Sequence, residues 1–487
     1  MGGAYPFLLL VCFTRFLAII ADEHLPHRQA MEITIGGDDG FEIIIGGGGA
    51  PPSPLRKTQD YWWWRCSSIL GPPPAACPPT PPPLSPKPSP QPLQKPPPAS
   101  PFEISELVRE VFPVIQAFRK KITVDPLHIT DTWQGKDVCG KYKGFVCGIA
   151  PDKQGKALVG VNFDGYYFSG PNLTISEFLF GLKEIVFFHA NSNNFTGTIP
   201  DRIGELPYLK ELGLSNNLFT GAFPYPLLKA KKLLLLDLSF NRFAGIVPPQ
   251  VFLLNLDLLF IHNNKFVQKL PDNLGSTTAF SLNLANNKFI GGIPKSIGQA
   301  SNTLLQVLFL NNQLTGCLPY EIGLLNKTTV FDVGFNFLSG PIPHSFRCLK
   351  KMMFLNLAKN KFYGPVPEAV CSLPELFNFT ISYNYFTQVG PRCRKLIKDG
   401  VLDAKMNCIL NLPNQRSAAE CAKFFSTTHT CPNEKSLTYV PCSVGLESNE
   451  SNSSQLESNN VYVPAQAPRA QIYASLLPHT SLDFWKN

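Results

Sequence analysis

An asparagine recurs every 23 to 25 residues through the middle of this chain, and this period restricts the possible folds more than any other feature. The nine positions are Asn193, Asn217, Asn241, Asn264, Asn287, Asn312, Asn336, Asn360 and Asn384. Phenylalanine or leucine stands two residues after each asparagine, and proline stands seven residues after it. Such a fixed period is typical of a repeat protein in which each coil stacks on its neighbours.

Each repeat also carries a short alternating pattern. Apolar residues lie five and three positions before the asparagine, as Leu212 and Leu214 do, and a period of two predicts a strand. Stacked coils would pair these strands into a parallel sheet. Where each strand ends, the asparagine amide supplies both donors and an acceptor for buried backbone groups, so the nine side chains are expected to form a ladder.

The rest of the chain divides by composition. The predicted regions are a signal peptide (1–21), a glycine-rich, poorly ordered segment (22–70), a proline-rich spacer (71–101), an N-terminal cap (102–156), the repeats (157–391), a cysteine-rich C-terminal cap (392–442) and a disordered tail (443–487). Arg15 interrupts the first apolar run, which is too short for a membrane anchor, and small Ala21 ends it before two acidic residues.

Both ends of the repeats need covers over their apolar edges. Ser100 to Glu103 has the form of a capping box and predicts a helix that runs to about Lys121 with one apolar face. Trp133 and a disulfide between Cys139 and Cys147 are expected to complete the N-terminal cap.

Cysteine usage favours an oxidising compartment. Without Cys12, which lies in the predicted signal peptide, twelve cysteines remain, and they include no C-x-x-C motif. Cys348 and Cys371 are nearly one repeat apart and are expected to meet across neighbouring coils, while Cys393, Cys408, Cys421, Cys431 and Cys442 mark the C-terminal cap. Glycosylation sequons stand at Asn172, Asn194, Asn326, Asn378, Asn449 and Asn452.

Three segments together resemble one plant family. They are the repeats of the form LxxLxLxxNxFTGxIP, the stretch TWQGKDVCGKYKGFVC at 132–147, and NQRSAAECAKFF at 414–425. The chain resembles the leucine-rich repeat extensins, and more narrowly a secreted branch that lacks their C-terminal extensin tail. The resemblance implies an α/β solenoid of the plant leucine-rich repeat type, with the parallel sheet on its concave face. It also implies a cell-wall protein that binds small, basic, cysteine-rich signalling peptides.

The expected ligand site lies on that concave face. Residues six, four and two positions before each asparagine point away from the core, because side chains alternate along a strand. These columns predict an exposed apolar belt edged by acids that would receive a basic peptide. The candidate residues are Glu211, Leu235, Asp237, Leu258, Phe260, His262, Leu308, Leu310, Asp332 and Phe354, with Val330 in the same columns. Covering of this face by a loop or a neighbouring chain is the alternative.

The same columns contain no convincing catalytic or metal site. Glu211 and Asp237 stand in adjacent coils and are interpreted as solvated acids rather than a catalytic pair. His189 and His262 lack cysteine or carboxylate partners at metal spacing, so no metal or cofactor is assigned.

A secreted binding protein is therefore favoured over an enzyme. Two rivals stay open, an inhibitor of wall-degrading hydrolases such as polygalacturonases and a structural wall component. The formal net charge of +8 favours either an acidic wall polysaccharide as partner or simply a solvated surface, and nucleic acid is not expected. No segment predicts a transmembrane span, and the sequence does not fix the oligomeric state.

Overall fold

The computed structural model describes residues 105–443, apart from 153 and 154. The predicted signal peptide, glycine-rich segment and proline-rich spacer lie outside the described residues, as does the predicted tail beyond residue 443. Within the described part, no helix has both the length and the apolar composition that crossing a bilayer requires.

Short strands dominate the described residues. In chain order they are β1 (Phe145–Ile149), β2 (Lys156–Asn162), β3 (Phe187–His189), β4 (Thr196–Gly197), β5 (Glu211–Gly213), β6 (Leu218–Gly221), β7 (Leu235–Asp237), β8 (Arg242–Gly245), β9 (Leu258–Phe260), β10 (Lys265–Phe266), β11 (Ser281–Asn283), β12 (Ile290–Gly291), β13 (Gln306–Leu308), β14 (Gln313–Cys317), β15 (Val330–Asp332), β16 (Phe337–Gly340), β17 (Phe354–Asn356), β18 (Lys361–Pro365), β19 (Asn378–Thr380), β20 (Tyr385–Gln388) and β21 (Leu402–Asp403).

Helices are brief and lie mainly at the caps and between coils. The α-helices are α1 (Glu106–Arg119), α2 (Val138–Lys141), α3 (Ser176–Phe180), α4 (Pro391–Lys398) and α5 (Ala418–Phe425). The 3-10 helices are Thr130–Thr132, Asp201–Glu205, Tyr225–Lys229, Pro249–Leu253, Leu274–Ser276, Lys295–Ala300, Tyr320–Leu324, His344–Cys348, Glu434–Thr438 and Pro441–Ser443.

The strands before the asparagines form one sheet of twelve, in the order β1-β2-β3-β5-β7-β9-β11-β13-β15-β17-β19-β21. β1 is antiparallel to β2, and the following pairs are parallel. The strands after the asparagines form two shorter sheets, β10-β8-β6-β4 and β12-β14-β16-β18-β20. This arrangement confirms the predicted solenoid.

The asparagines join each coil to the one before it. Asn217 Nδ2 donates to the carbonyl of Ala190 in the preceding coil at 2.8 Å, and its Oδ1 accepts from the amide of Phe195 at 3.1 Å. All nine asparagines are at most 9% exposed, and each makes the equivalent donor bonds. Phenylalanine rings stack beneath them, as between Phe219 and Phe243 with centroids 6.3 Å apart.

A tenth rung extends the repeats past the predicted boundary at residue 391. Asn407 is fully buried, and its Oδ1 accepts from the amide of Phe386 at 3.0 Å. β21, the strand of this coil, pairs in parallel with β19 of the preceding coil. The proline seven residues after the asparagine is missing here, since Asn414 stands in its place, and the sequence pattern therefore ends one coil too early.

The capping box predicted at Ser100 to Glu103 lies outside the described residues of the N-terminal cap. Helix α1 starts at Glu106, because Ser105 has a non-helical backbone and its Oγ accepts from the amide of Val108 at 3.4 Å. The helix packs Phe118 onto Phe178, with ring centroids 4.0 Å apart. Trp133 is completely buried beside them, and the Cys139–Cys147 disulfide closes the adjoining loop.

The C-terminal cap is held by four disulfides, and their pairing corrects one expectation. Cys348 bonds to Cys442 and Cys371 bonds to Cys393, so the expected contact between Cys348 and Cys371 is wrong. The two cysteines differ by one position relative to Asn360 and Asn384, so they are not equivalent in their coils. The other two bonds are Cys408–Cys421 and Cys317–Cys431, and Cys317 was missed from the sequence.

Candidate functional site

The structure places the predicted ligand-site residues on neighbouring strands of the twelve-stranded sheet. Glu211 on β5 is in register with Leu235 on β7, which is in register with Leu258 on β9. On a parallel pair further along, Leu308 is in register with Asp332. Equivalent positions of successive coils therefore form straight columns, with strands about 4.8 Å apart.

The predicted exposed apolar belt is wrong. The apolar members of these columns are only 4% to 8% exposed, and they are Leu235, Leu258, Phe260, Leu308, Leu310, Val330 and Phe354. Columns at strand spacing bring side chains of neighbouring coils into contact along their flanks, which alternation along a single strand does not reveal. The accessible side chains on this face are polar instead.

Glu211 and Asp237 stand on the neighbouring strands of adjacent coils, as expected, but Glu211 is not solvated. Glu211 is buried, with Oε2 3.0 Å from His189 Nε2, and Asp237 lies in register with Gly213 rather than with Glu211. The columns of Glu211 and Asp237 are therefore two residues apart along the strand direction. His189 itself has no exposed surface.

A hydrogen-bonded polar cluster crosses the first coils of this face. It consists of Asp164, Asn191, Ser215 and Asp237, all of them half-buried. Asp164 accepts from the amide of Asn191 at 2.8 Å, and Asn191 Oδ1 accepts from the hydroxyl of Ser215 at 3.0 Å. The side chain of Ser215 also bonds to Asp237. Burial, and in addition the negative charge of Asp164, raises the pKa of Asp237.

Two further titratable groups lie in the same columns. Burial raises the pKa of Asp332 to about 6, although its carboxylate accepts from the amide of Gly334 at 2.9 Å. Burial lowers the pKa of His262 to about 4. Both groups therefore titrate far from their ordinary values, on a face that carries the candidate site.

Sequence reasoning missed a second polar column. Asp237, Asn283, Asp332 and Asn356 stand four residues before their asparagines, and each accepts from the backbone amide two residues later. This is the usual local bond of Asp and Asn at turns. The signal in the sequence is an Asp or Asn four residues before the asparagine, a residue type that bonds its own backbone at turns.

The sequons occupy different surroundings. Asn172, Asn194 and Asn326 are exposed, which glycosylation requires. Asn378 is half-buried on β19, and its Oδ1 accepts from the hydroxyl of Thr380 at 3.1 Å. Asn449 and Asn452 lie outside the described residues.

Comparison with known proteins places this geometry in a family context. The Leucine Rich Repeat model matches residues 280–300. Among solved structures, the Arabidopsis receptor kinase HAESA in complex with the peptide hormone IDA and the co-receptor SERK1 is 25% identical, with a TM-score of 0.53 over 62% of this chain and 50% of that one. A plant ice-binding protein at 23% identity and a TM-score of 0.52 shares the fold, over 64% of this chain and 98% of that one.

Relatives in Arabidopsis thaliana have higher sequence identity to this chain than these two structures do. Leucine-rich repeat extensin-like protein 2 is 40% identical over 69% of this chain, which spans 42% of that protein's length. Leucine-rich repeat extensin-like protein 6 is 45% identical over 66% of this chain and 67% of that protein, and protein 7 is 43% identical over 69% and 76%. Because it covers two thirds or more of these last two relatives, the chain belongs to the leucine-rich repeat extensin-like family.

Proposed function

We propose that this protein is secreted to the plant cell wall and binds a small, basic, cysteine-rich signalling peptide on its concave sheet. One observation carries the proposal. In the nine coils, the positions six, four and two residues before the asparagine include three carboxylates, Glu211, Asp237 and Asp332, and neither lysine nor arginine. A cationic ligand complements such a face, which would attract it and fix its orientation.

The polar cluster of Asp164, Asn191, Ser215 and Asp237 is the proposed first contact. Its side chains are half-buried and therefore reachable, unlike the apolar residues beside them. The two carboxylates repel each other, which helps to raise the pKa of Asp237. A lysine or arginine of the ligand would relieve this repulsion, so binding would favour the ionised pair.

The proposed location and the proposed class of ligand rest on different observations. Extensin-like relatives suggest an extracellular or wall location, and five disulfides suit an oxidising compartment. The HAESA structure, which contains a peptide hormone, is a precedent for a peptide on a solenoid of this kind.

The test is direct binding of a panel of basic, cysteine-rich peptides to the purified chain. The variant Asp164→Asn with Asp237→Asn keeps side-chain shape but removes the two charges of the polar cluster, and we expect it to weaken binding at least about tenfold. The matched control is Asp201→Asn with Asp272→Asn, two exposed carboxylates away from the concave sheet. It should bind like the parent.

Two results would overturn the proposal. One is equal weakening in both double variants, which would place the effect in net charge rather than in the concave face. The other is absence of binding by every peptide, together with inhibition of a secreted polygalacturonase by the same protein, which would favour the hydrolase-inhibitor alternative.

A further inference from the structure

A second surface with the opposite charge runs along the flank of the solenoid. It comprises the positions one residue before each ladder asparagine and one to four residues after it, where the chain leaves the concave sheet. Over the nine coils these positions contain five cations and no carboxylate. We call the following exposed residues the flank stripe: Phe240, Arg242, Lys265, Lys288, Phe337, Lys359, Lys361 and Tyr383.

In the part of the chain that the structure describes, none of the five cations of the flank stripe forms an ion pair with a carboxylate. Two of them lie over aromatic rings instead. Lys359 Nζ is 5.2 Å from the ring centroid of Tyr383, and Lys361 Nζ is 5.6 Å from that of Phe337. Positive charge and exposed rings are thus presented together.

Two of the aromatic residues of the flank stripe have an unfavourable backbone conformation. Phe240 and Tyr383 adopt left-handed backbone angles, with φ of 50° and 60°. Four other coils have asparagine at this position, the residue that tolerates this conformation best after glycine: Asn216, Asn263, Asn286 and Asn311. Phe240 is 51% and Tyr383 is 45% exposed, so burial of the rings does not offset the strain. Phe240 contacts His262 and Tyr383 contacts Lys359, and the remaining surface of both rings is open to a molecule outside the chain.

The flank stripe extends across successive coils of the solenoid. It spans six coil spacings from Phe240 to Tyr383, about 30 Å at a strand separation of about 4.8 Å. A shallow pocket of about 540 Å³ interrupts it, lined by polar and aromatic side chains that include Asn311, Gln313, Phe337 and Lys359. Amides there offer hydrogen bonds to hydroxyl groups.

We propose that the flank stripe binds a linear polysaccharide that bears carboxylates, a polyuronate. Its sugar rings would lie on the exposed aromatic faces, its hydroxyls would meet the amides, and its carboxylates would meet Lys265, Lys288 and Lys361. An extended, negatively charged polymer matches a positively charged surface that runs for about 30 Å along successive coils. This surface shares no residue with the concave columns, although Phe240 contacts His262 at their border, with ring centroids 5.1 Å apart. The inference does not depend on the proposed peptide function.

The test measures binding of the full chain to polygalacturonate, by retardation in an affinity gel and by biolayer interferometry at low salt. We expect Lys265→Gln with Lys288→Gln and Lys361→Gln to weaken binding about tenfold. The matched control removes three exposed lysines that lie off the stripe, Lys231→Gln with Lys350→Gln and Lys398→Gln, and should bind like the parent.

The rings are tested separately. Phe337→Ala with Tyr383→Ala leaves the charge unchanged, and we expect a loss of about fivefold that persists at raised salt, because stacking is screened less than charge. The concave variant Asp164→Asn with Asp237→Asn should bind the polymer normally. Failure of the concave proposal would thus leave this result unaffected.

Three outcomes would overturn the inference. Equal losses in the two lysine variants would mean that only net charge matters. Equally tight binding of polyglutamate would assign the stripe to acidic peptides. Undiminished binding of a fully methyl-esterified polymer would show that the carboxylates are not recognised.

Discussion

A single amide side chain bonds four backbone groups at each rung, and Asn287 illustrates what its loss would cost. Its Nδ2 donates to the carbonyls of Ile261, Leu284 and Ala285, at 3.0, 3.1 and 3.2 Å, and its Oδ1 accepts from the amide of Phe266 at 3.1 Å. Asn287→Ala leaves these buried groups without partners, at about 1 to 3 kcal/mol each. We predict a loss of about 3 kcal/mol or more in the free energy of unfolding, measured by urea denaturation.

The neighbouring exposed residue provides the control for this rung. Lys288→Ala should change the free energy of unfolding by less than about 0.5 kcal/mol. Hydrogen exchange adds a local readout, because the amide of Phe266 should lose protection in Asn287→Ala but not in Lys288→Ala. Similar stability of the two variants would contradict a structural role for the ladder.

At the scale of elements, the segment from residue 427 to 442 is attached to the repeats by two long-range disulfides. Cys317–Cys431 and Cys348–Cys442 close loops of 114 and 94 residues. The ladder and the twelve-stranded sheet do not use this segment. Replacing these four cysteines with serine is therefore expected to release the segment while the repeats stay folded.

Limited proteolysis under oxidising conditions checks this prediction. Cleavage should appear between residues 427 and 442 in the four-cysteine variant, with the amides of the ladder still protected from exchange. The control, Cys139→Ser with Cys147→Ser, removes a disulfide at the opposite end and should leave the segment resistant. Unfolding of the whole chain in the first variant would show that the disulfides support the repeats themselves.

The same elements show what the sequence could and could not predict. A period of two before each asparagine was enough for the strands, because that pattern is local. The partner of Cys317 was not predictable, because Cys431 is 114 residues away and only the folded path of the cap brings them together. The low exposure of Leu258 and Phe260 depends on contacts between coils, which alternation within one strand does not contain.

For the molecule as a whole, stability against pH combines opposing contributions from the concave sheet. Burial raises the pKa of Asp332 from 3.8 to about 6, so the folded chain holds this proton more tightly and the contribution to stability falls as pH rises from about 4 to 6. Burial lowers the pKa of His262 from 6.5 to about 4. The unfolded chain then binds the proton more tightly, and this contribution falls as pH drops from 6.5 to about 4.

Substituting each group should therefore change the pH profile in opposite directions. Relative to the parent, Asp332→Asn should gain stability as pH rises from 4 to 6, and His262→Gln should gain stability as pH falls from 6.5 to 4. Each slope is at most about 1.4 kcal/mol per pH unit, a total of about 2 to 3 kcal/mol. Urea denaturation at half-unit steps measures both, with exposed Asp272→Asn as a control whose difference from the parent stays flat. Profiles for Asp332→Asn and His262→Gln that run parallel to the parent would mean that neither group titrates differently in the folded chain.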